Sequence, residues 1–322
     1  MLKLFIFQKD KGFVEEENLD KISDLIRDEH AIVWLDALDP SEQDMKFLAK
    51  EFGFHQLALE DYFTPHPRPK IDEFPGYYYM VVHVLNYNAQ RQEIDAQELS
   101  IFVGKNYLVT AHEVPMYLAE RVTETWRKDP RVVMDGAGML LYDILDALVD
   151  SYFPILDQID DQLDEMEDQI FSQAGIQSAE RIFRLKRSLL VFRRIAAPLR
   201  DVLNAMIRRD QPLFSEQALT YLRDVYDHTF RIVDAVDTYR DVLTGAMDAY
   251  LSVISNQLNG VMKTLTVVAT ILISLQVITG IYGMNFRYMP ELYWRGSYFV
   301  ALGFMVVLSL ALLYYFKRIK WL

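Results

Sequence analysis

The chain has 322 residues, of which 51% are hydrophobic, and it carries a formal net charge of −13. It contains no cysteine, which excludes disulfide bonds and thiolate catalysis. The charges are unevenly placed, because only six charged residues follow Lys263. This distribution excludes a protein that is soluble and globular along its whole length.

Residues 1–135 are predicted to form a cytosolic α/β domain. The opening "MLKLFIFQKDKGFVEEE" turns acidic too early for a signal peptide and is expected to be a strand. Stretches rich in β-branched and aromatic residues predict further strands, at "AIVWLDAL", "YYYMVVHVL" and "LSIFVGKNYLVTAHE". Ser41 predicts the start of a helix that runs to Phe52 and stops at Gly53, and another helix is expected after Pro115.

Residues 136–257 are predicted to be helical, with a strong charge pattern. Residues 132–180 contain twelve acids and no Lys or Arg, whereas residues 181–209 contain nine Lys or Arg and one acid. Two adjacent helices of opposite charge predict an antiparallel hairpin whose faces neutralise each other. The acidic helix could also attract cations, and the pattern alone leaves both interpretations open.

The longest predicted helix follows Pro212, because no proline occurs between Ser215 and Tyr282. Apolar residues repeat there at heptad spacing, which calls for a partner helix. The two series are Val225, Ile232, Tyr239, Ala246 and Val253, and Leu222, Val236, Leu243 and Tyr250. We expect this stalk helix to continue into the apolar segment that follows, over a length of about 100 Å.

Residues 258–322 are predicted to form a transmembrane hairpin. Two uncharged runs, 264–286 and 296–316, are long enough to cross a bilayer, which takes roughly 20 apolar residues per helix. We expect the spans themselves at about 264–284 and 297–316.

The flanking charges predict how the hairpin is oriented. Lys263 precedes the first span, and a basic tail with Lys317, Arg318 and Lys320 follows the second. Positive residues favour the cytoplasmic side, so both termini are expected in the cytoplasm and the short loop 285–296 outside. The predicted location is therefore the cell (inner) membrane, as a multi-pass protein.

One face of the first span is suited to line a water-filled path, which two helices alone cannot enclose. Its members recur at spacings of three and four and are mostly small or polar: Asn259, Met262, Thr266, Ala269, Ile273, Gln276 and Gly280. Such residues also serve helix packing in membranes, so that interpretation stays open. Asn259 and Gln276 are the more specific signals, because amides in a bilayer need hydrogen-bond partners.

The segment "GIYGMNF" ends the first uncharged run with a glycine and an asparagine. Neither span contains an acidic residue, and Mg²⁺ gives up its bound water reluctantly. A ring of Asn285 oxygens could accept hydrogen bonds from the water shell of the ion, with Gly283 allowing the chain to turn. Helix termination by Gly and Asn is the competing interpretation of the tripeptide alone.

Taken together, the C-terminal segments resemble the CorA-type magnesium transport proteins, within the Gly-Met-Asn metal ion transporters. "YGMNF" is followed by "MPELYW", a second span and "FKRIKWL", and the match extends upstream through "YLRDVYDH" and "RPKIDEF". The resemblance implies an α+β chain in a funnel-shaped homopentamer. It implies a selectivity filter at Gly283, Met284 and Asn285, and an inner constriction at Asn259, Met262 and Leu265 that could close by dewetting.

The same resemblance implies that intracellular Mg²⁺ closes the pore. Asp61, in "LALEDYF", is expected to face Asp224 of a neighbouring subunit, with Glu60 and Asp146 as further metal ligands. Carboxylates from two subunits repel each other unless a divalent cation screens them, so loss of the ion would loosen the interface. Asp224 could instead be a surface residue paired with His228 one turn on.

The sequence departs from the family pattern in "ATILISLQVITG". Ile273, Ser274 and Gln276 stand where a Met-Pro pair and a threonine are common, so the choice among Mg²⁺, Co²⁺ and Ni²⁺ is left open. A zinc transporter of the related branch is one alternative function, although the "MPEL" loop favours the magnesium branch. A membrane-anchored sensor of divalent cations is the other.

No enzyme activity is expected from this sequence. The six histidines show no ligand spacing, and the absence of a "GxxxxGK" phosphate loop argues against ATP-driven transport. The expected partners are divalent cations and membrane lipid, with neither nucleic acid nor nucleotide. The membrane potential supplies about 2.3 kcal/mol per charge per 100 mV, or roughly 4.6 for a divalent cation, which suffices for uptake.

Overall fold

A seven-stranded sheet lies at the centre of the N-terminal part of the chain. The structure, a computed structural model, describes residues 1–8, 12–16, 19–28, 30–128, 136–173, 176–208, 213–285 and 287–321. The strands are β1 (Leu2–Gln8), β2 (Gly12–Glu16), β3 (Ala31–Leu38), β4 (Lys70–Phe74), β5 (Tyr77–Asn88), β6 (Glu93–Gly104) and β7 (Tyr107–His112). Their spatial order is β2-β1-β3-β7-β6-β5-β4, and β3 and β7 are parallel while the other pairs are antiparallel.

Helices cover both faces of this sheet, because its strands are apolar on both sides. Three helices lie on one face: α1 (Ile22–Arg27), α2 (Glu42–Phe52) and α3 (Gln56–Tyr62). Their side chains Ile22, Met45 and Ala58 join the apolar core beneath them. Helices α4 (Tyr117–Lys128) and α5 (Ala137–Asp150) lie on the other face, where Trp126 packs edge-on against Trp34 of β3. The predicted α/β character of this region is confirmed.

Helix α2 begins and ends where the sequence predicts. The Ser41 side chain accepts a hydrogen bond from the Asp44 backbone N–H, and Asp44 accepts one in return from the Ser41 backbone, which is a capping box. Gly53 ends the helix in the left-handed conformation with a φ of 75°, which glycine adopts without steric cost. Because α2 ends at Gly53, the chain can turn and begin α3 at Gln56, and α3 carries Glu60 and Asp61.

The two helices of opposite charge follow the sheet domain. Helix α6 (Phe153–Gln173) is acidic, and helix α7 (Ile176–Arg208) is basic. Arg181 of α7 donates to Gln169 at 2.5 Å and lies 3.3 Å from Glu165, both on α6. The opposite side of α7 buries Leu185, Leu189 and Phe192, since this helix also packs against β4, β5 and β6.

Helix α8 (Glu216–Tyr282) is 67 residues long, so the predicted stalk does continue into the first apolar run. Leu222, Val225, Ile232, Val236 and Leu243, from the heptad series, are almost fully buried. Helices of the same chain supply the packing partners that the heptad pattern requires.

The contacts that cover the heptad seam come from three helices. Tyr142 of α5 packs against Tyr221 with ring centroids 5.0 Å apart, and Phe153 of α6 meets the ring of His228 edge-on. Arg193 of α7 donates to Asp237 at 2.6 Å.

The chain divides into two compact units along α8. Residues 1–169 and 176–247 belong to the first unit, and the second consists chiefly of residues 248–321. Within the second unit, α9 (Ser297–Arg318) is the second apolar helix. In the apolar runs of α8 and α9, Val267 and Phe316 are the buried side chains among the described residues, so the apolar surface of both helices is largely exposed.

The Asp143 carboxylate, which accepts a hydrogen bond from Trp126 at 2.8 Å, links α5 to α4. Burial raises the pKa of Asp143 to about 6, against the opposing effect of that hydrogen bond. Because the folded state holds this proton more tightly than the unfolded chain does, the charged carboxylate costs stability as pH rises from about 4 through 6.

Asp143→Asn is therefore expected to stabilise the protein at pH 8 by on the order of 1 to 3 kcal/mol, with little gain at pH 4. Thermal unfolding followed by tryptophan fluorescence at both pH values measures this difference. Asp24→Asn, at an exposed acid of α1, is the control and should change little. An equal gain at both pH values for Asp143→Asn would contradict the prediction.

Candidate ion pathway and regulatory site

The predicted pathway face of α8 is exposed in the chain. Met262, Leu265 and Ile273 each expose more than half of their surface, and Asn259, Thr266 and Gln276 are exposed as well. The buried Val267 lies on another side of the helix. These six predicted pathway residues are therefore on exposed surface, and of the two other members of the predicted face Gly280 is exposed and Ala269 is half-buried.

The amide side chains on this face have unmet hydrogen-bonding capacity. Within the described part of the chain, no protein group bonds the side-chain amides of Asn259, Gln276 or Asn285. The hydroxyls behave differently, since Thr266 donates to the Met262 carbonyl at 2.8 Å and Ser274 donates to the Thr270 carbonyl at 2.7 Å. In a bilayer such amides require water, an ion shell or another subunit.

The Gly-Met-Asn segment lies where α8 ends. Gly283 N–H donates to the carbonyls of Thr279 and Gly280, and Met284 N–H donates to that of Ile281, which closes the last turn. Asn285 follows as an exposed, non-helical residue. Gly283 is outside the left-handed region, but a Cβ there would lie only 3.3 Å from the Thr279 carbonyl oxygen.

Asp61, the first predicted regulatory ligand, is already neutralised within its own chain. Its carboxylate pairs with Lys70 at the start of β4, and Lys70 also lies 2.9 Å from Asp72. Burial alone would lower the pKa of Lys70, but the hydrogen bonds to Asp61 and Asp72 raise it, so the ammonium stays charged. His66 approaches the other oxygen of Asp61 at 3.9 Å.

Glu60 has a looser environment than Asp61. It is exposed on α3, and Gln56 donates to its carboxylate at 3.2 Å across one helical turn. Both acids lie on the same short helix, so a cation bound at Asp61 would also interact with the charge of Glu60.

Asp146 and Asp224, the other two predicted ligands, meet around one histidine. Ligand atoms of Asp146, Asp150 and His228 lie within 4.8 Å of one another, and His228 Nε2 is 3.8 Å from Asp224. Burial raises the pKa of Asp146, and the charge of Asp150 raises it further. The predicted Asp224–His228 pair is present, and the two carboxylates grouped with the imidazole, Asp146 and Asp150, offer oxygen donors that a hard divalent cation could use.

Two side chains near these acids, Asp150 and Lys70, were not among the site residues assigned from the sequence. Asp150 lies one turn beyond Asp146, a spacing that could have revealed it, and it pairs with Arg121 of α4 at 2.7 Å. Lys70 stands inside "RPKIDEF", but nothing in that segment indicates that it reaches Asp61. The β4–β5 pairing and the loop after α3 bring them together.

Two helices of the described chain are long and apolar enough to cross a membrane, namely α8 and α9. Only 6% of the apolar window of each is buried, so neither is the core helix of a globular domain. Both lie in the C-terminal third, away from the N-terminus, where a signal sequence would stand.

Comparisons with known proteins agree with this architecture. The family described as "CorA-like Mg2+ transporter protein" matches residues 29–318. The cobalt/magnesium transport protein CorA of Thermotoga maritima is 38% identical over 298 residues, which covers 92% of this chain and 85% of that protein. The protein of the same name from Methanocaldococcus jannaschii is 31% identical over 324 residues, 100% of both chains.

A solved structure extends the likeness to the whole fold. The complete structure of the CorA magnesium transporter from Methanocaldococcus jannaschii superposes with a TM-score of 0.85 at 28% identity, over 99% of this chain and 98% of that one. The match covers the sheet, the long helix and the apolar hairpin alike. The chain thus belongs to the CorA-like Mg²⁺ transporter family, whose members are transporters and not enzymes.

Proposed function

We propose that the protein is a channel that admits hydrated Mg²⁺ into the cell as a funnel-shaped homopentamer. The main support for this proposal is the exposed face of α8, where the amide side chains of Asn259 and Gln276 have no partner in the described chain, and the equally unpartnered Asn285 just after the helix. Because one apolar hairpin cannot enclose water, several copies must surround the path. The family resemblance supports five.

The two sides of the hairpin would meet different surroundings in this assembly. The face with Asn259, Met262 and Gln276 would turn to the axis, where water satisfies the amides. The exposed apolar residues of α9, such as Phe299 and Val306, would contact lipid. Met262 and Leu265 would form the constriction, because a narrow apolar ring can exclude water when it closes.

Selection at the outer mouth would act on the water shell of the ion. An asparagine oxygen accepts hydrogen bonds but carries no full charge, so a ring of Asn285 would hold a hydrated cation without removing its water. Co²⁺ is proposed as a second substrate, since relatives are named cobalt/magnesium transport proteins. Ni²⁺ remains a candidate by the chemical similarity of its hydrated ion.

The orientation follows the flanking charges, with both termini in the cytoplasm and the loop 285–296 outside. A divalent cation that moves inward then gains roughly 4.6 kcal/mol per 100 mV of membrane potential. That free energy is sufficient for uptake without nucleotide hydrolysis.

Closure by intracellular Mg²⁺ would act through the acids of the first unit. Asp61 of one subunit is proposed to share a cation with Asp224 of its neighbour, assisted by Glu60 and Asp146. The crowding of Asp146 and Asp150 beside His228, with Asp224 3.8 Å from the same histidine, supports this role, because like charges held together favour a divalent ion. When Mg²⁺ leaves, repulsion between subunits would loosen the cytosolic interface.

Asn285→Ala tests the transport function directly. We expect Mg²⁺ flux into liposomes to fall by about tenfold or more, because losing an oxygen that bonds the ion shell costs about 1.5 kcal/mol or more, and about 1.4 kcal/mol corresponds to a tenfold change in rate. Asn86→Ala, at an exposed asparagine of β5, is the matched control and should keep full flux. Unchanged flux for Asn285→Ala would favour the tethered-sensor alternative.

Lys70→Gln tests the regulatory site. Because the ammonium of Lys70 competes with Mg²⁺ for Asp61, its removal is expected to lower the internal Mg²⁺ concentration for half-closure about two- to fivefold. Lys70→Arg should behave like the parent protein, and Lys50→Gln, at an exposed lysine of α2, serves as the charge-matched control.

The Lys70→Gln prediction is checked by measuring Mg²⁺ flux into a series of liposomes that contain increasing internal Mg²⁺ concentrations. A half-closure concentration that stays constant or rises in Lys70→Gln would contradict a role for Asp61 as a ligand. Equal flux at every internal concentration in the parent protein would remove the gating proposal as a whole, whereas the Asn285 result would still decide transport.

A further inference from the structure

A groove of about 570 Å³ lies along the exposed face of α7, and none of the predicted pathway or metal-ligand residues lines it. Four arginines line it: Arg187, Arg193 and Arg194 from α7, and Arg68 from the loop that joins α3 to β4. Two separate parts of the fold therefore place guanidinium groups around one depression. Its volume is within the range of small-molecule sites, roughly 300 to 1,000 Å³.

Three of these four arginines have no ion-pair partner in the described part of the chain. Arg193 is neutralised by Asp237, which also pairs with Arg240. Arg68, Arg187 and Arg194 are exposed and unpaired, although the chain has 46 acidic residues against 33 basic ones. A surplus of acids elsewhere makes this concentration of free positive charge a specific feature of the groove.

The groove also has an apolar side. Leu190, Val191, Ala197 and Pro198 line it, and Leu190 exposes 48% of its surface. These residues follow Arg187 and Arg194 at helical spacings of three and four, so one face of α7 alternates guanidinium and hydrocarbon groups. The reverse face of the helix is buried against the sheet, which holds this arrangement rigid.

We propose that the groove binds a polyphosphate anion, with its apolar side accepting the base of a nucleoside triphosphate. Arginine is suited to phosphate because its planar fork donates two parallel hydrogen bonds and stacks on aromatic rings. Three free guanidinium groups can be satisfied by an anion that carries several charges, whereas a single phosphate or carboxylate would leave some of them unpaired. Neither transport nor hydrolysis is implied, since no phosphate loop is present in the sequence.

This site would change the expectation that the protein has no nucleotide partner. The absence of a phosphate loop argues against ATP-driven transport, but a nucleotide can bind without hydrolysis and without such a loop. Because Mg²⁺ coordinates the same phosphate oxygens as the arginines would, the groove should prefer the metal-free anion. The cytosolic unit would then respond to the level of free triphosphate, which falls as Mg²⁺ rises.

The test is a calorimetric titration of purified full-length protein in detergent with ATP and, separately, with inorganic tripolyphosphate, both in the presence of a metal chelator. We expect saturable binding with one site per chain. Arg187→Gln/Arg194→Gln should weaken it by roughly tenfold or more. Lys186→Gln/Arg208→Gln, with the same charge change at exposed positions of α7 outside the groove, should leave it unchanged.

Several outcomes would overturn the proposal. Absence of saturable binding of either anion, or an equal loss of binding in the two double variants, would remove the site. A change of oligomeric state in Arg187→Gln/Arg194→Gln, measured by light scattering, would assign the groove to a contact with an acidic surface of another copy.

Two further arms test the details of the site. Tripolyphosphate that binds as tightly as ATP would overturn the role of the apolar side, and undiminished binding of ATP in excess Mg²⁺ would overturn the preference for the metal-free anion. Because the assay needs no ion flux, failure of the channel proposal would leave each result interpretable.

Discussion

An amide inside a membrane must find a hydrogen-bond partner, and this constraint determines how the hairpin can be used. Gln276, inside the predicted span, has no side-chain partner in the described chain, and neither do Asn259 and Asn285 beyond the two ends of that span, while the nearby hydroxyls bond to their own helix. A tether that only anchored a cytosolic domain would gain nothing from an unpartnered amide in lipid. A path shared by several copies would supply water to all three, so the proposed pore and an assembly of several copies answer the same requirement.

The continuity of α8 gives the protein a means to connect its two compact units. Asp224, near one end of the helix, belongs to the first unit, and Gln276, near the other, belongs to the second. No residue in the helix interior is proline, and the heptad seam from Leu222 to Leu243 is buried against helices of the same chain. In the proposed closure by Mg²⁺, the continuous backbone of α8 would join Asp224 to the constriction at Met262 and Leu265.

Local signals made much of this architecture predictable from sequence. The capping residue Ser41, the stop at Gly53, the strands, the charge reversal between α6 and α7 and the length of α8 all depend on neighbours along the chain. The pair of Lys70 with Asp61 could not be predicted in this way, because it depends on the loop after α3. The arginine groove on α7 could not be predicted either, because Arg68 lies 119 or more positions before the other arginines that line it. Contacts between charged residues far apart in the sequence cannot be predicted from the periodicity of the sequence.

The acids proposed to sense Mg²⁺ are not bare carboxylates, and this has a consequence for their affinity. Asp61 is paired with Lys70, Asp150 with Arg121, and Asp224 with His228. A cluster of unpaired carboxylates would bind a divalent cation tightly and hold it at every cytosolic concentration, because affinity rises with the number of ligand charges. In the proposed sensor, Lys70 and Arg121 would lower that affinity by offering Asp61 and Asp150 another partner when the metal is scarce. These two positive charges would then set the concentration range of the response, whereas the acids would supply the interaction that the metal must satisfy.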